Sequence, residues 1–165
     1  MLLRLSPPNN DRLVRGDTFV KQVGGAELNV AVGVALLGLR TGVISKLPSH
    51  DMGSFMKGKI RSYGVSDDFF MYDDSPSARV GIYYYENGAY PRKPKVIYDR
   101  ANSSFYSLKI DEIPEKAYTA SRCFHTSGIT LALSPKVRET TIEMIKRFKA
   151  AGTLVSFDVN FQIGR

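Results

Sequence analysis

A chain of 165 residues with this pattern predicts an α/β fold with a mostly parallel central sheet flanked by helices. Three observations carry that expectation. Strand and helix signals alternate over residues 1–67, the order in which parallel strands are joined by crossover helices. Between about 68 and 109 the alternation gives way to short aromatic and β-branched runs separated by polar loops, which reads as a hairpin-like insertion. Helix and strand signals resume from 110 to 165, and an apolar fraction of 43% is enough for a real core.

Leu2–Leu5 reads as a strand that begins without a lead-in, so upstream residues are expected. Pro7-Pro8-Asn9-Asn10-Asp11 then supplies turn chemistry, and Thr18–Val23 forms a strand feeding Gly24 and Gly25. The run from Ala26 to Leu39 is apolar on every side, which predicts a buried helix ended by Gly38 and Gly42. Gly25, Asn29 and Gly33 share one small face near its start, where free N–H groups and the helix dipole favour oxygen-rich ligands. That pattern serves equally a ligand site or close packing around a hydrogen-bonded buried Asn29. The double glycine lacks the spacing of a dinucleotide fingerprint.

Val43–Leu47 predicts a buried strand, Asp51 an N-cap, and the helix that follows exits at Tyr63-Gly64-Val65. His50 reads as an exposed loop residue. Strands are expected at Asp68–Tyr72, Arg79–Glu86, Lys95–Arg100 and Phe105–Leu108. On the second of these, Gly81, Tyr83 and Tyr85 share a face. Tyr98 and Arg100 share one on the third, suited to a carboxylate or to sugar hydroxyls, although an exposed arginine with a tyrosine packed on it fits the same residues.

A short helix is expected at Pro114–Ala120, then a strand running through Arg122–Ser127 into a glycine turn. Its Cys123 reads as a buried inert thiol and its His125 as a hydrogen-bonded core residue. Ser134 as N-cap and Pro135 at the first helical position start a helix that runs to about Ala151 and Gly152. Thr153–Val159 predicts a buried strand, with Asp158 and Asn160 on one face at its carboxyl end, the edge at which open α/β sheets bind ligands.

The net charge of +7 is scattered apart from Arg92-Lys93-Pro94-Lys95, which argues against a nucleic-acid binder and suits an anionic small substrate. One cysteine permits no internal disulfide and fits a cytoplasmic protein. No apolar run is long enough to span a membrane, and Arg4 with Pro7-Pro8 leaves no room for a signal peptide.

Several stretches together resemble the ribokinase-like carbohydrate kinases, and among them the 2-keto-3-deoxygluconate kinase group. They are Gly24-Gly25-Ala26-Glu27-Leu28-Asn29-Val30-Ala31, Leu36–Gly38 with His50-Asp51-Met52-Gly53, Tyr63-Gly64-Val65, Thr126-Ser127-Gly128-Ile129 and Asp158-Val159-Asn160-Phe161. The sugar-acid group rests on Ala26–Asn29, Tyr83, the Tyr98 and Arg100 pair, Ser127–Ile129 and Asp158–Asn160. The resemblance implies transfer of the ATP γ-phosphoryl, with Mg²⁺, to a sugar hydroxyl by an α/β domain closed by a small β lid that also serves a homo-oligomer. On that basis residues 1–67 and 110–165 belong to the α/β domain and 68–109 to the lid. It implies that Gly25 and Asn29 hold sugar hydroxyls, Tyr83 covers the sugar, Tyr98 and Arg100 bind the keto-acid end, and Ile129 and Asn160 line the pocket.

Two departures stand out. Gln162 occupies a place where the family usually has arginine. The glycine-rich motif that carries the family's catalytic aspartate does not occur, and the ATP-binding half is absent, so no cofactor is expected on this chain alone. The alternatives are a related kinase for fructose, ribose or a nucleoside, and a non-catalytic sugar-acid-binding or dimerising module.

Overall fold

The computed structural model describes residues 1–160, so Gln162 lies outside the described residues. Strand β1 (Leu2–Ser6) pairs antiparallel with β2 (Val20–Gly24) and parallel with β5 (Ile82–Glu86), which pairs antiparallel with β6 (Lys95–Asp99). The result is a four-stranded sheet in the order β2-β1-β5-β6. Two parallel pairs accompany it: β3 (Ser45–Pro48) with β4 (Phe70–Asp73), and β7 (Cys123–Ser127) with β8 (Leu154–Asp158). The parallel character expected of the core strands is therefore present, divided between two pairs among the described residues rather than joined in one sheet.

Helix α1 (Ala26–Leu36) follows β2, and α2 (Asp51–Ser62) joins β3 to β4. Helix α3 (Glu115–Thr119) precedes β7, the short α4 (Gly128–Leu131) follows it, and α5 (Pro135–Ala150) crosses to β8. Around β3 and β4 successive residues point to opposite faces, so this pair divides two cores. Leu47 and Phe70 join Leu3, Val23, Leu28, Met56, Ile60 and Val65 on one side. Ile44, Phe69 and Met71 pack on the other against Tyr118, Met144 and Phe148. Lys46 is buried within β3 and is met by Glu112 at 2.5 Å, which satisfies a charge that would otherwise be costly there.

Helix caps explain the element starts. Ser134 accepts the Val137 N–H at 3.2 Å, as its position before Pro135 predicts. At α2 the cap is His50 and not Asp51. His50 has extended backbone angles and its Nδ1 accepts the Met52 N–H, while Asp51 is the first helical residue, where its charge favours the helix dipole.

Five further expectations are corrected. The stretch expected as a strand at Phe105–Leu108 is a 3₁₀ turn over Ser104–Ser107, because the Ser107 hydroxyl bonds back to the Ser104 carbonyl and offers the chain a local alternative to a ladder. Helix α1 is not buried: Leu28 alone is fully enclosed, and Leu36 and Leu37 are each 81% exposed. It packs through Leu28, Ala31, Val32 and Ala35, and no described element covers its other side. Asn29 lies on that open side and is exposed, not buried. Strand β8 is likewise open, with Leu154 at 69% and Phe157 at 46%, since β7 is its one partner among the described residues. Cys123 is exposed because β7 buries only its carboxyl-terminal end, Thr126 and Ser127. His125 is half-buried and partnered, with its Nδ1 3.0 Å from the Ser156 hydroxyl.

Candidate functional site

The candidate site is built around the start of α1. Gly25 adopts φ 155° and ψ 147°, a region open essentially to glycine, and a Cβ there would stand 3.3 Å from the Met1 Cα. Gly24 is required by contact: a Cβ on it would lie 2.4 Å from the Tyr83 hydroxyl. Strand β5 thus delivers Tyr83 directly onto the glycine pair.

Strand register builds the wall beside it. Gln22, Arg4, Tyr83 and Tyr98 oppose one another across β2, β1, β5 and β6, so they share one face of the sheet. The Tyr83 and Tyr98 rings lie 6.0 Å apart at 34°. The Arg100 guanidinium carbon is 4.7 Å from the Tyr98 ring centroid, a cation–π contact that holds the fork along the tyrosine pair. Burial pushes the Tyr83 hydroxyl pKa up, against the pull of the Arg4 charge, so at neutral pH it remains a donor. Just before β5, Arg79 pairs with Asp99 of β6 at 2.7 Å, which separates that arginine's role from that of Arg100.

The remaining candidate residues lie at and just after the ends of β7 and β8. Asp158 and Asn160 close a tight turn: the Asn160 backbone N–H donates to Asp158 Oδ1 at 2.9 Å and its amide Nδ2 to Oδ2 at 2.7 Å. Asn160 has φ 51°, a conformation asparagine tolerates better than most residues. Gly128 allows α4 to start against this turn, since a Cβ on it would stand 2.4 Å from the Val159 carbonyl oxygen. That contact places Ile129 and Asn160 on adjoining stretches.

Of the residues singled out from the sequence, Tyr83, Tyr98 and Arg100 form one connected surface, and Tyr83 touches the glycine segment. Asn29 is exposed one turn into α1 and makes no side-chain hydrogen bond among the described residues. Ile129 and Asn160 are both half-buried. Sequence reasoning missed Glu27. Its Oε1 accepts the hydroxyls of Ser127 and Thr130, each at 2.6 Å, and so ties α1 to β7 and α4. The available signal was that Glu27 is the one charged residue between Gly24 and Leu39.

The sequence pattern of the pfkB family carbohydrate kinases matches residues 2–162. The chain belongs to the pfkB family of carbohydrate kinases. As a pfkB-family chain it is 38% identical over 161 residues to a 2-dehydro-3-deoxygalactonokinase of Haloferax volcanii, a match that covers 98% of this chain and 50% of that protein. It is 32% identical over 145 residues to a 2-dehydro-3-deoxygluconokinase of Bacillus subtilis, covering 87% and 44%. The crystal structure of a 2-dehydro-3-deoxygluconokinase from Thermotoga maritima superposes with a TM-score of 0.90 at 36% identity, over 98% of this chain and 49% of that one. A sugar kinase of Pyrococcus horikoshii solved in complex with ATP gives 0.83 at 26% identity, over 98% and 51%. The chain therefore spans about half the length of these relatives. The ribokinase-like α/β fold expected from the sequence is the fold of these pfkB neighbours.

Proposed function

We propose that this chain is the sugar-binding part of a kinase that phosphorylates 2-keto-3-deoxygluconate, or a closely similar 2-keto-3-deoxy sugar acid, to the 6-phosphate. The observation that carries it is the Tyr83, Tyr98 and Arg100 surface set against the glycine start of α1. A guanidinium beside two tyrosines suits a carboxylate, and charge-assisted hydrogen bonds to it discriminate against neutral sugars. The names of the Haloferax, Bacillus and Thermotoga relatives support the same substrate class.

In this arrangement Gly25 offers its backbone, and Asn29 its amide, to sugar hydroxyls. Tyr83 covers the sugar, Tyr98 and Arg100 take the keto-acid end, and Ile129 and Asn160 close the far side. Gln162 stands where the family's arginine would add a second cation. Residues 68–109 serve as the lid, interleaved with the core sheet through β1, and also as a contact between two copies of the chain. The protein is read as cytoplasmic; among the described residues no helix is long and apolar enough to cross a membrane.

ATP with Mg²⁺ is the phosphoryl donor proposed for the whole enzyme. The residues here do not fit that part of the reaction. The glycine-rich aspartate motif that the resemblance associates with catalysis does not occur in the sequence. What this chain supplies is positioning of the acceptor, which is a large share of the protein's work in phosphoryl transfer. By itself it is expected to turn over no ATP.

Calorimetric titration with 2-keto-3-deoxygluconate, beside gluconate and ribose, tests this. Selective binding of the keto-deoxy acid, weakened about 10–100-fold in Arg100→Ala, is the expected result for loss of a hydrogen bond to a charged group. Equal binding of ribose, or an Arg100→Ala variant that binds like the parent, would favour a kinase for neutral sugars.

A further inference from the structure

Glu27 occupies an unusual place for an acid. It sits in the first turn of α1, two residues beyond Gly25, in a segment otherwise free of charge. Both of its hydrogen-bond donors come from about a hundred residues away, and both act on one oxygen, Oε1. Ser127 is fully enclosed at the end of β7, and Thr130 lies within α4. Burial raises the Glu27 carboxyl pKa, but the two hydroxyl bonds and the backbone bond outweigh it and hold the group below the usual carboxylate value. At neutral pH it is an anion, and the positive end of the helix dipole favours it there.

The clamp reaches further than its own atoms. Between Ser127 and Thr130 stand Gly128 and Ile129, and Gly128 is pressed on the Val159 carbonyl beside the Asp158–Asn160 turn. Fixing Ser127 and Thr130 to α1 therefore sets where Ile129 and Asn160 stand relative to Gly25 and Asn29. We infer that Glu27 is a positioning residue of the sugar-acid site, holding the start of α1 in register with the β7–α4 junction through its bonds to Ser127 and Thr130. The inference rests on the sugar-acid reading given above. Glu27 itself is two residues from Asn29, about 200° around the helix, and so lies under the site and not in it.

Glu27→Gln keeps the shape and one acceptor oxygen but removes the charge that lets a single oxygen hold two hydroxyls at short distance. The test compares the parent chain with Glu27→Gln and Glu27→Ala by calorimetry with 2-keto-3-deoxygluconate, by thermal melting, and by amide hydrogen exchange over 24–30 and 132–133. The expected result for Glu27→Gln is a melting temperature close to the parent's, affinity lower by about tenfold, and exchange at Ala132 and Leu133, whose N–H groups bond the Gly128 and Thr130 carbonyls, faster by about tenfold. Parent-like affinity together with parent-like exchange in Glu27→Gln would overturn the positioning role. If the parent itself does not bind the acid, the sugar-acid reading falls, and exchange still decides the clamp: unchanged protection at Ala132 and Leu133 removes it, accelerated exchange retains it. Should Glu27→Ala fail to fold, Glu27→Gln carries the comparison alone.

Discussion

Helices α1 and α5 are opposites in how their sequences relate to their burial. Helix α5 carries Val137, Thr141, Met144 and Phe148 at helical spacing, and those four residues are the ones it buries. Helix α1 is far more apolar yet encloses only Leu28, leaving Val30, Leu36 and Leu37 in the open. Periodicity tells which face of a helix is covered. Bulk hydrophobicity tells only that cover is favourable, and says nothing about which element supplies it. The two also start differently. Helix α5 begins on a side-chain cap, Ser134, whereas α1 begins on Gly25, whose backbone angles favour glycine and which offers no side-chain cap.

The largest expected effect is in the core that α5 covers. Phe148 stacks on Phe124 at 4.2 Å and 9°, and lies 4.8 Å from Tyr118. Phe148→Ala should cost about 3–5 kcal/mol in urea denaturation, whereas Leu37→Ala on α1 should change stability by no more than about 0.5 kcal/mol. A comparable cost for Leu37→Ala would break the contrast, because it would mean that the outer face of α1 is covered in solution. Next comes Gly25→Ala, which forces a side chain into the glycine region against Met1 and should cost about 1–3 kcal/mol, with loss of sugar-acid binding in calorimetry. The smallest is Ser134→Ala, which removes the α5 cap and should cost about 1 kcal/mol without altering ligand affinity. Ligand affinity that falls as much in Ser134→Ala as in Gly25→Ala would erase the distinction between a structural and a functional helix start.

Most elements were legible because their signals are local. Ser134-Pro135 marks the start of α5, Gly64 the exit from α2 with φ 77°, and the alternation in β5 puts Tyr83 and Tyr85 on one face. The 3₁₀ turn at Ser104–Ser107 escaped because its aromatic residues look like strand while its serines bond locally. His50 displaced Asp51 as a cap because the choice depends on one residue's backbone angle, which composition does not reveal. Cys123 and β8 were expected inside because apolar neighbours suggest burial, yet burial on both faces needs two layers, and among the described elements only the Val155 face of β8 is packed, on the core that α5 covers.

The candidate site divides in the same way. That Gly25 and Asn29 share a helix face, Tyr83 and Tyr85 a strand face, and Tyr98 and Arg100 another could be stated from helix and strand periods, since each is a property of neighbouring residues, while the roles proposed for them came from the family resemblance. The row of Gln22, Arg4, Tyr83 and Tyr98, the Gly24 contact with the Tyr83 hydroxyl, and the Glu27 bonds to Ser127 and Thr130 could not. By itself the sequence determined the α/β class, the helix and strand periods and the residue types at the start of α1, all set by forces acting within a few residues. Only the tertiary structure decided which strands became neighbours, which apolar faces were covered, and which hydroxyls reached the Glu27 carboxylate across a hundred residues of chain, because those depend on packing between segments that no local pattern encodes.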